Sequence, residues 1–200
     1  MLYTTFERKK QEDWVEKLKL ARLLSLAVLR FYSTPWLSKT WNSDDICFFN
    51  NDEMAERNCL IASPYINTKL SVTDPNKQFT GTNDPSLVAN EELFSLATVL
   101  IELGYDAPFE IVSETEGHQG GTNIQVDNFL AARRLSESVH RKLNMMYGRV
   151  VEKCLNCNFG VATKLKEAEL QSAVVAHVVH QLDICLEQYR KFNSLAPVPI

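Results

Sequence analysis

By type and spacing, Cys154 and Cys157 are the residues best suited to chemistry, because they form a Cys-x-x-Cys pair. Such a pair can act as a redox couple or supply half of a zinc site. A structural zinc needs four ligands, and the sequence holds no second pair, since Cys47, Cys59 and Cys185 stand singly. We therefore predict buried thiols at the end of a helix, without metal or redox use.

Two histidines, His177 and His180, are three residues apart on a predicted helix, and Asp183 follows one turn later. Two imidazoles and one carboxylate make an incomplete metal site, so we predict satisfied or exposed helix histidines. The run from Gly117 to Gly121 has no lysine and no preceding strand, both of which a phosphate-binding loop needs. It is interpreted as a flexible turn.

Carboxylate pairs occur at Glu91-Glu92 and at Glu167 and Glu169, where helices are predicted to begin. Negative charge at a helix start is favoured by the helix dipole. Sequence signatures of serine hydrolases and zinc proteases are absent from the chain. The sequence therefore predicts no catalytic, cofactor-binding or metal-binding residue, and no cofactor.

Composition bounds the class of protein. The chain has 200 residues, of which 45% are hydrophobic and 23% charged, enough for one domain with its own core. A net charge of -4 with basic residues scattered along the chain argues against nucleic-acid binding. The N-terminal residues lack the apolar stretch of a signal peptide, and Lys19, Arg22 and Arg30 interrupt the most apolar region. We expect a cytoplasmic protein with no membrane span and, with five cysteines, reduced thiols.

Hydrophobic periodicity predicts the first half of the fold. A helix from Glu7 to Tyr32 is expected to end at Ser33-Thr34-Pro35. Its predicted core positions are Trp14, Leu18, Ala21, Leu24, Val28 and Phe31. Short strands are predicted at Ile46–Phe49 and Cys59–Ile61, and a loop from Ser63 to Ala89.

The second half is predicted to be helical around one buried element. Leu93 to Leu103 is apolar on every face, so this helix should lie at the domain centre. A polar loop is expected from Ser113 to Thr122, then a helix capped by Asp127, with a break near Gly148. A last helix follows Thr163, with an apolar stripe that suits the domain core or self-association. That stripe comprises Ala168, Val175, Val178, Leu182, Cys185, Tyr189 and Phe192.

The order of these elements resembles the lower lobe of a protein kinase. The run Phe94–Leu103 is similar to the kinase core-helix pattern Asp-x-Trp-Ser-Leu-Gly-x-x-Leu-x-Glu-Leu, with Glu92 at the aspartate and Ala97 at the glycine. Cys154-Leu155 also falls where kinases often have this pair. The resemblance implies a mainly α domain with a small β-hairpin and a central buried helix.

A closer likeness is to an uncharacterised fungal domain family that looks like a degenerate kinase lower lobe. It extends from about Leu18 to about Leu186. The similar segments are Phe31–Leu37 with its Ser-Thr-Pro-Trp-Leu element, Trp41, Asp45–Phe48, Pro64–Ile66, Phe94–Leu96 and Cys154–Phe159. In some relatives this region accompanies domains linked to fungal incompatibility and cell-death signalling.

Kinase chemistry transfers only in part. In a kinase one aspartate accepts the substrate proton, an asparagine holds magnesium, and a second aspartate from Asp-Phe-Gly bridges metal and phosphates. Asp45 and Asn50 match the first two positions. Ser43 and Asp44 replace the His-Arg pair, no Asp-Phe-Gly follows, and no glycine-rich loop or ATP-pairing lysine motif occurs. The resemblance therefore implies a pseudokinase-like remnant without catalysis.

We expect one domain over residues 1–200, with a core from about 14 to 192, that acts as a non-catalytic protein-interaction or regulatory domain. A protein partner is expected, and an oligomer could form through the last helix. The alternative is residual nucleotide binding or phosphotransfer that uses Asp45 and Asn50 with an upper lobe supplied by another chain. A third reading is a structural fragment of a longer gene product.

Overall fold

A computed structural model describes residues 2–32, 34–48, 64–66, 87–115 and 124–195, and these are mainly helical, as predicted. The longer helices are α1 (Leu2–Phe31), α2 (Glu91–Tyr105), α4 (Ile124–Ser138), α5 (Met145–Asn156) and α7 (His180–Leu195). Shorter helices are α3 (Phe109–Thr115) and α6 (Ala168–Val174), with 3-10 turns at Ser43–Asp45 and Val139–Arg141 and a π-helical turn at Val175–Val179. The strands are β1 (Ile46–Phe48) and β2 (Pro64–Ile66).

Helix α1 forms one wall of the core. Its buried side runs through Leu18, Ala21, Ser25 and Val28, three or four residues apart, and the Ser25 hydroxyl donates to the Ala21 carbonyl at 2.8 Å. The helix starts earlier than predicted and ends at Phe31, close to the expected position before Pro35. No helix in the described part of the chain is long and apolar enough to cross a membrane.

Helix α2 lies at the centre of the molecule, which confirms the main prediction of the sequence. It packs against α1, α3, α4 and α5. The Asn90 side chain caps its start by accepting the Leu93 N–H at 2.8 Å, and Glu91 and Glu92 occupy the first turn. Its buried residues are Leu93, Ser95, Leu96, Ala97, Val99, Leu100 and Ile101.

A two-stranded antiparallel hairpin replaces part of the predicted loop. Strand β1 confirms the first predicted strand, and it pairs with β2 in the register Ile46 with Ile66 and Phe48 with Pro64. The expected loop from Ser63 to Ala89 is therefore wrong at Pro64–Ile66. Proline is tolerated as the first residue of a strand, so Pro64 did not exclude pairing. The predicted strand at Cys59–Ile61 lies outside the described residues.

The predicted loop from Ser113 to Thr122 is wrong at its start, which is helical. Helix α3 continues through Thr115, with Phe109 and Val112 buried. A carboxylate oxygen of Glu102 accepts the Phe109 N–H at 2.9 Å, so one of the free donors at the start of α3 is satisfied from α2. The remainder of the predicted loop, residues 116–122, lies outside the description.

The predicted break at Gly148 is wrong, and so is the cap at Asp127. Helix α4 begins at Ile124, which places Asp127 in its first turn. The break between α4 and α5 comes earlier, at the 3-10 turn, and Asn144 then caps α5 by accepting the Tyr147 N–H at 2.8 Å. Gly148 lies inside α5, where a Cβ would approach the His140 Cβ to 2.7 Å. Close packing therefore requires the glycine.

The last helical region starts at Ala168 and is interrupted by the π-helical turn. Its buried stripe runs through Leu170, Val174, Val178, Leu182 and Cys185. Two predicted members, Ala168 and Val175, are exposed, because the wider π turn shifts the face that meets the core. From Val178 to Tyr189 the prediction agrees, and α7 packs on α1 and α5. The side chain of Phe192 lies outside the described part.

Candidate functional site

The structure gives Asp45 a capping role. In the 3-10 turn Ser43–Asp45, the Asp44 N–H donates to the Asn42 side chain at 3.0 Å. The Asn42 N–H in turn donates to an Asp45 carboxylate oxygen at 3.1 Å. This reciprocal arrangement is a capping box, and it holds the Asp45 carboxylate against the backbone. Asn50, its predicted partner in metal chemistry, lies outside the described residues.

The turn that holds Asp45 contacts the C-terminal half of α2 at Glu102. Burial raises the pKa of the Glu102 carboxyl, the Phe109 N–H and the Ser43 hydroxyl lower it, and the nearby charges of Glu110 and Asp44 raise it. The net direction is upward. Its second oxygen, Oε2, is buried and has no hydrogen-bond partner among the described residues. Burial therefore makes the negative charge of the Glu102 carboxylate unfavourable in the folded state.

We predict that Glu102→Gln changes how stability depends on pH. The raised pKa means that the folded state binds a proton more readily than the unfolded state, so the wild-type protein loses stability as pH rises through the pKa of this carboxyl. Glutamine keeps an oxygen for the Phe109 N–H but carries no charge. The variant should therefore gain stability relative to wild type as the pH rises above the ordinary carboxyl pKa of 4.5, measured by urea unfolding at each pH.

A matched control for this experiment is Glu114→Gln, which removes one charge from an exposed position on α3. It should leave the pH dependence close to that of the wild-type protein. If Glu102→Gln and wild type follow the same curve, the Glu102 carboxylate is solvated and does not oppose folding.

The cysteine pair consists of buried thiols, in the environment that the sequence predicted. Cys154 lies in α5 and Cys157 is the C-cap of that helix, in the left-handed conformation with φ 47°. Burial raises the pKa of the Cys154, Cys157 and Cys185 thiols. Because the thiolate is the reactive form, these groups are poor nucleophiles at neutral pH. Cys47 is exposed, and Cys59 lies outside the described part.

The two predicted histidines of the last helical region, His177 and His180, are both exposed. Asp183 is engaged elsewhere, since its carboxylate accepts from the Arg22 guanidinium of α1. Across the residues described, no three His, Cys, Asp or Glu side chains come together as a group that could hold a metal ion. The glycine-rich run from Gly117 to Gly121 lies in a range that the structure does not describe.

A concave feature of the described residues runs between α4 and α5 and past the end of α5. It consists of a cavity of about 340 Å³ joined to one of about 370 Å³, and the two share Arg149, Glu152 and Asn156. The first cavity is also lined by Arg133, Glu137, His140, Met145 and Gly148, and the second by Lys153 and Phe159. We call this feature the α4–α5 groove.

The groove is positioned by the packing of α4 on α5 and by the turn that joins the two helices. Helices α4 and α5 pack on each other, and Ala132, Leu135 and Val151 on their inner faces belong to the common core, so the exposed faces diverge toward solvent. Gly148 lets the backbone of α5 approach the 3-10 turn at His140. The groove is therefore bordered by two packed helices and the turn that joins them.

Positive charge is concentrated in the chain segment that supplies the groove, and three of its six cations line the groove. Residues 133–153 contain six Lys and Arg against two Glu, a local charge of +4 in a chain whose net charge is -4. We call these six residues the basic surface: Arg133, Arg134, Arg141, Lys142, Arg149 and Lys153. All are exposed except Lys153, which is half-buried. The description of the basic residues as scattered is thus wrong for this segment, and a charge count by segment would have found it.

Comparison with curated proteins and with solved structures gave no match. The family model for a domain of unknown function, DUF7580, matches residues 2–189, which is nearly the whole chain. The chain therefore belongs to the DUF7580 domain family.

Proposed function

We propose that this chain is a non-catalytic protein-interaction or regulatory domain whose basic surface binds an acidic surface of a partner protein. The observation that carries the proposal is the local charge of +4 over residues 133–153 in a chain of net charge -4. A patch opposite in sign to the rest of the molecule orients an approaching partner and accelerates encounter.

The availability of the charges supports this proposal. Arg133, Arg134, Arg141 and Arg149 form no ion pair with another described residue. Lys142 lies over the Tyr105 ring, with its ammonium nitrogen 4.8 Å from the ring centre, and so remains at the surface. Within the described part of the chain these four guanidinium groups have no carboxylate partner, and their planar geometry is well suited to pairing with one.

A non-catalytic role is supported by the capping box, which uses the Asp45 carboxylate as a backbone acceptor. In the kinase resemblance this residue would be the proton acceptor. The order of helix, hairpin, central buried helix and further helices is consistent with a degenerate kinase lower lobe. A role in fungal incompatibility or cell-death signalling is part of the same proposal and rests on that resemblance.

The proposal predicts that neutralising the basic surface abolishes partner binding. The surface variant replaces four exposed arginines with glutamine: Arg133, Arg134, Arg141 and Arg149. The control variant changes four exposed basic residues on other parts of the chain to glutamine: Arg30, Lys39, Lys164 and Lys166. Both lose the same net charge, so only the position of the change differs.

Each chain is photo-cross-linked in an extract of the cells that express it, and the attached proteins are quantified by mass spectrometry. We expect acidic proteins to attach to wild type and to the control, and their recovery to fall about tenfold with the surface variant. Equal losses in the two variants would show that partner binding depends on net charge and not on the position of the arginines. Equal recovery from all three chains would contradict the proposed function.

A further inference from the structure

We propose that the α4–α5 groove is the specific binding site within the basic surface, and that it takes an extended peptide segment carrying isolated Asp or Glu residues. This inference rests on the proposed function and adds the site and the chemistry of its ligand. The groove joins two cavities of about 340 and 370 Å³ through Arg149, Glu152 and Asn156.

The length of the groove suits a short extended segment. It follows α5, a helix of 12 residues. At about 1.5 Å per residue such a helix is roughly 18 Å long. An extended chain advances about 3.3 Å per residue, so roughly five residues would lie along it. A single small anion would occupy only part of this space.

Two guanidinium groups border the groove from different helices. Arg133 comes from α4 and Arg149 from α5, and neither forms an ion pair with a described residue. Lys153 adds a third cation, although its ammonium group lies over the Phe159 ring, 5.6 Å from the centre. Carboxylates of a bound segment would pair with Arg133 and Arg149, which are placed to contact opposite sides of it.

Two acidic residues in the lining restrict the ligand. Glu137 and Glu152 alternate with the cations along the groove. They repel a continuous polyanion, so a nucleic-acid backbone or a run of consecutive acidic residues fits poorly. A peptide with single acidic side chains separated by neutral ones avoids this repulsion. The mixed lining thus favours a protein segment with spaced carboxylates.

The remaining lining residues suit the other parts of a peptide. Met145 is 58% exposed at one end and offers an apolar contact there, whereas Phe159 at the other end is only 8% exposed. Methionine adapts to different neighbouring side chains. Between them the Asn156 amide donates to the Glu152 carbonyl at 3.1 Å, which leaves its oxygen free to accept a peptide N–H. The groove therefore combines charge, hydrogen bonding and apolar contact.

The test uses the full chain and a displayed library of random twelve-residue peptides. Peptides selected on wild type are sequenced, synthesised and titrated by fluorescence anisotropy against single variants. Arg133→Glu and Arg149→Glu change the groove, whereas Arg134→Glu changes the neighbouring exposed arginine, which does not line it. Thermal unfolding of each variant establishes that it is folded.

We expect the selected peptides to be enriched in Asp and Glu that are separated by neutral residues. Their Kd should rise about tenfold or more with Arg133→Glu or Arg149→Glu, and less than about twofold with Arg134→Glu. A nitrogen-15 NMR titration should show the largest shifts at the amides of Gly148 and Asn156. This pattern would support the groove as the site.

Four results would contradict the groove as the binding site. Peptides without acidic enrichment, or equal weakening by Arg133→Glu and Arg134→Glu, would do so. Tighter binding of a poly-dT oligonucleotide than of any selected peptide would also do so, because it would make the surface a polyanion site. Equal weakening by Arg133→Glu and Arg134→Glu would leave the proposed function intact, since the whole basic surface would then bind the peptide. Insensitivity to every charge change would overturn both proposals.

Discussion

Replacing Leu100 with alanine is expected to lower the free energy of unfolding by about 2–5 kcal/mol. Leu100 is fully buried at the centre of α2, and its carbonyl accepts the hydroxyl of the buried Tyr147 at 2.7 Å. The substitution removes apolar contacts and leaves a cavity between packed helices, which cannot collapse fully. Urea unfolding should show a lower midpoint with an unchanged slope.

The control for this experiment is Leu130→Ala on α4. Leu130 is 39% exposed, so the same chemical change removes less buried surface. We expect a loss below about 1 kcal/mol. Similar losses at Leu100 and Leu130 would contradict the position of α2 at the centre of the core, on which the description of the fold depends.

The second large effect is expected for Gly148→Ala. Alanine is normally favoured over glycine inside a helix by about 1 kcal/mol, so the substitution would stabilise an uncrowded helix. Here the new Cβ would lie 2.7 Å from the His140 Cβ and 3.3 Å from the His140 Cα. Because backbone atoms must move to relieve this contact, we expect destabilisation by about 1–3 kcal/mol, measured as a lower Tm.

Met145→Ala on the same helix serves as its control. Met145 is 58% exposed, and alanine there should change the Tm little. A Tm that rises in Gly148→Ala would show that α5 and the turn at His140 are not in close contact. In that case the geometry of the α4–α5 groove would also be wrong.

Helix α2 could be predicted because apolar residues occur on every face of it. Leu93 to Leu103 carries apolar residues at nearly every position, and Glu91-Glu92 identifies its start. Likewise, Leu18, Ala21 and Val28 in α1 recur at helical spacing and lie buried. These signals are local and strong, so the surrounding structure did not need to be known.

The incorrect predictions share a dependence on distant contacts. Helix α3 receives a cap from Glu102 of the preceding helix, which no local pattern reveals. Gly148 looks like a helix breaker in sequence, yet the helix continues because packing on His140 requires a small residue. The π-helical turn at Val175–Val179 shifts a stripe that a regular spacing would extend to Ala168. For α3 and Gly148 a contact with another element decides between two local possibilities.

The candidate site was missed for a related reason. Its lining comes from two helices, with Arg133 and Arg149 separated in sequence by the turn that joins them. The net charge of the whole chain is -4, and this excess of acidic residues conceals a positive segment. The burial of Cys154 and Cys157 was predictable, since the sequence offers no second cysteine pair to complete a metal site with them.

The close approach of Gly148 to His140 has a thermodynamic consequence for recognition. Because the groove is lined largely by two helices held by the core, complex formation demands little loss of conformational entropy from this protein. Nearly all of that loss falls on the incoming segment, which is flexible when free. A cyclic peptide already fixed in an extended shape should therefore bind more tightly than its linear counterpart, without any added contact.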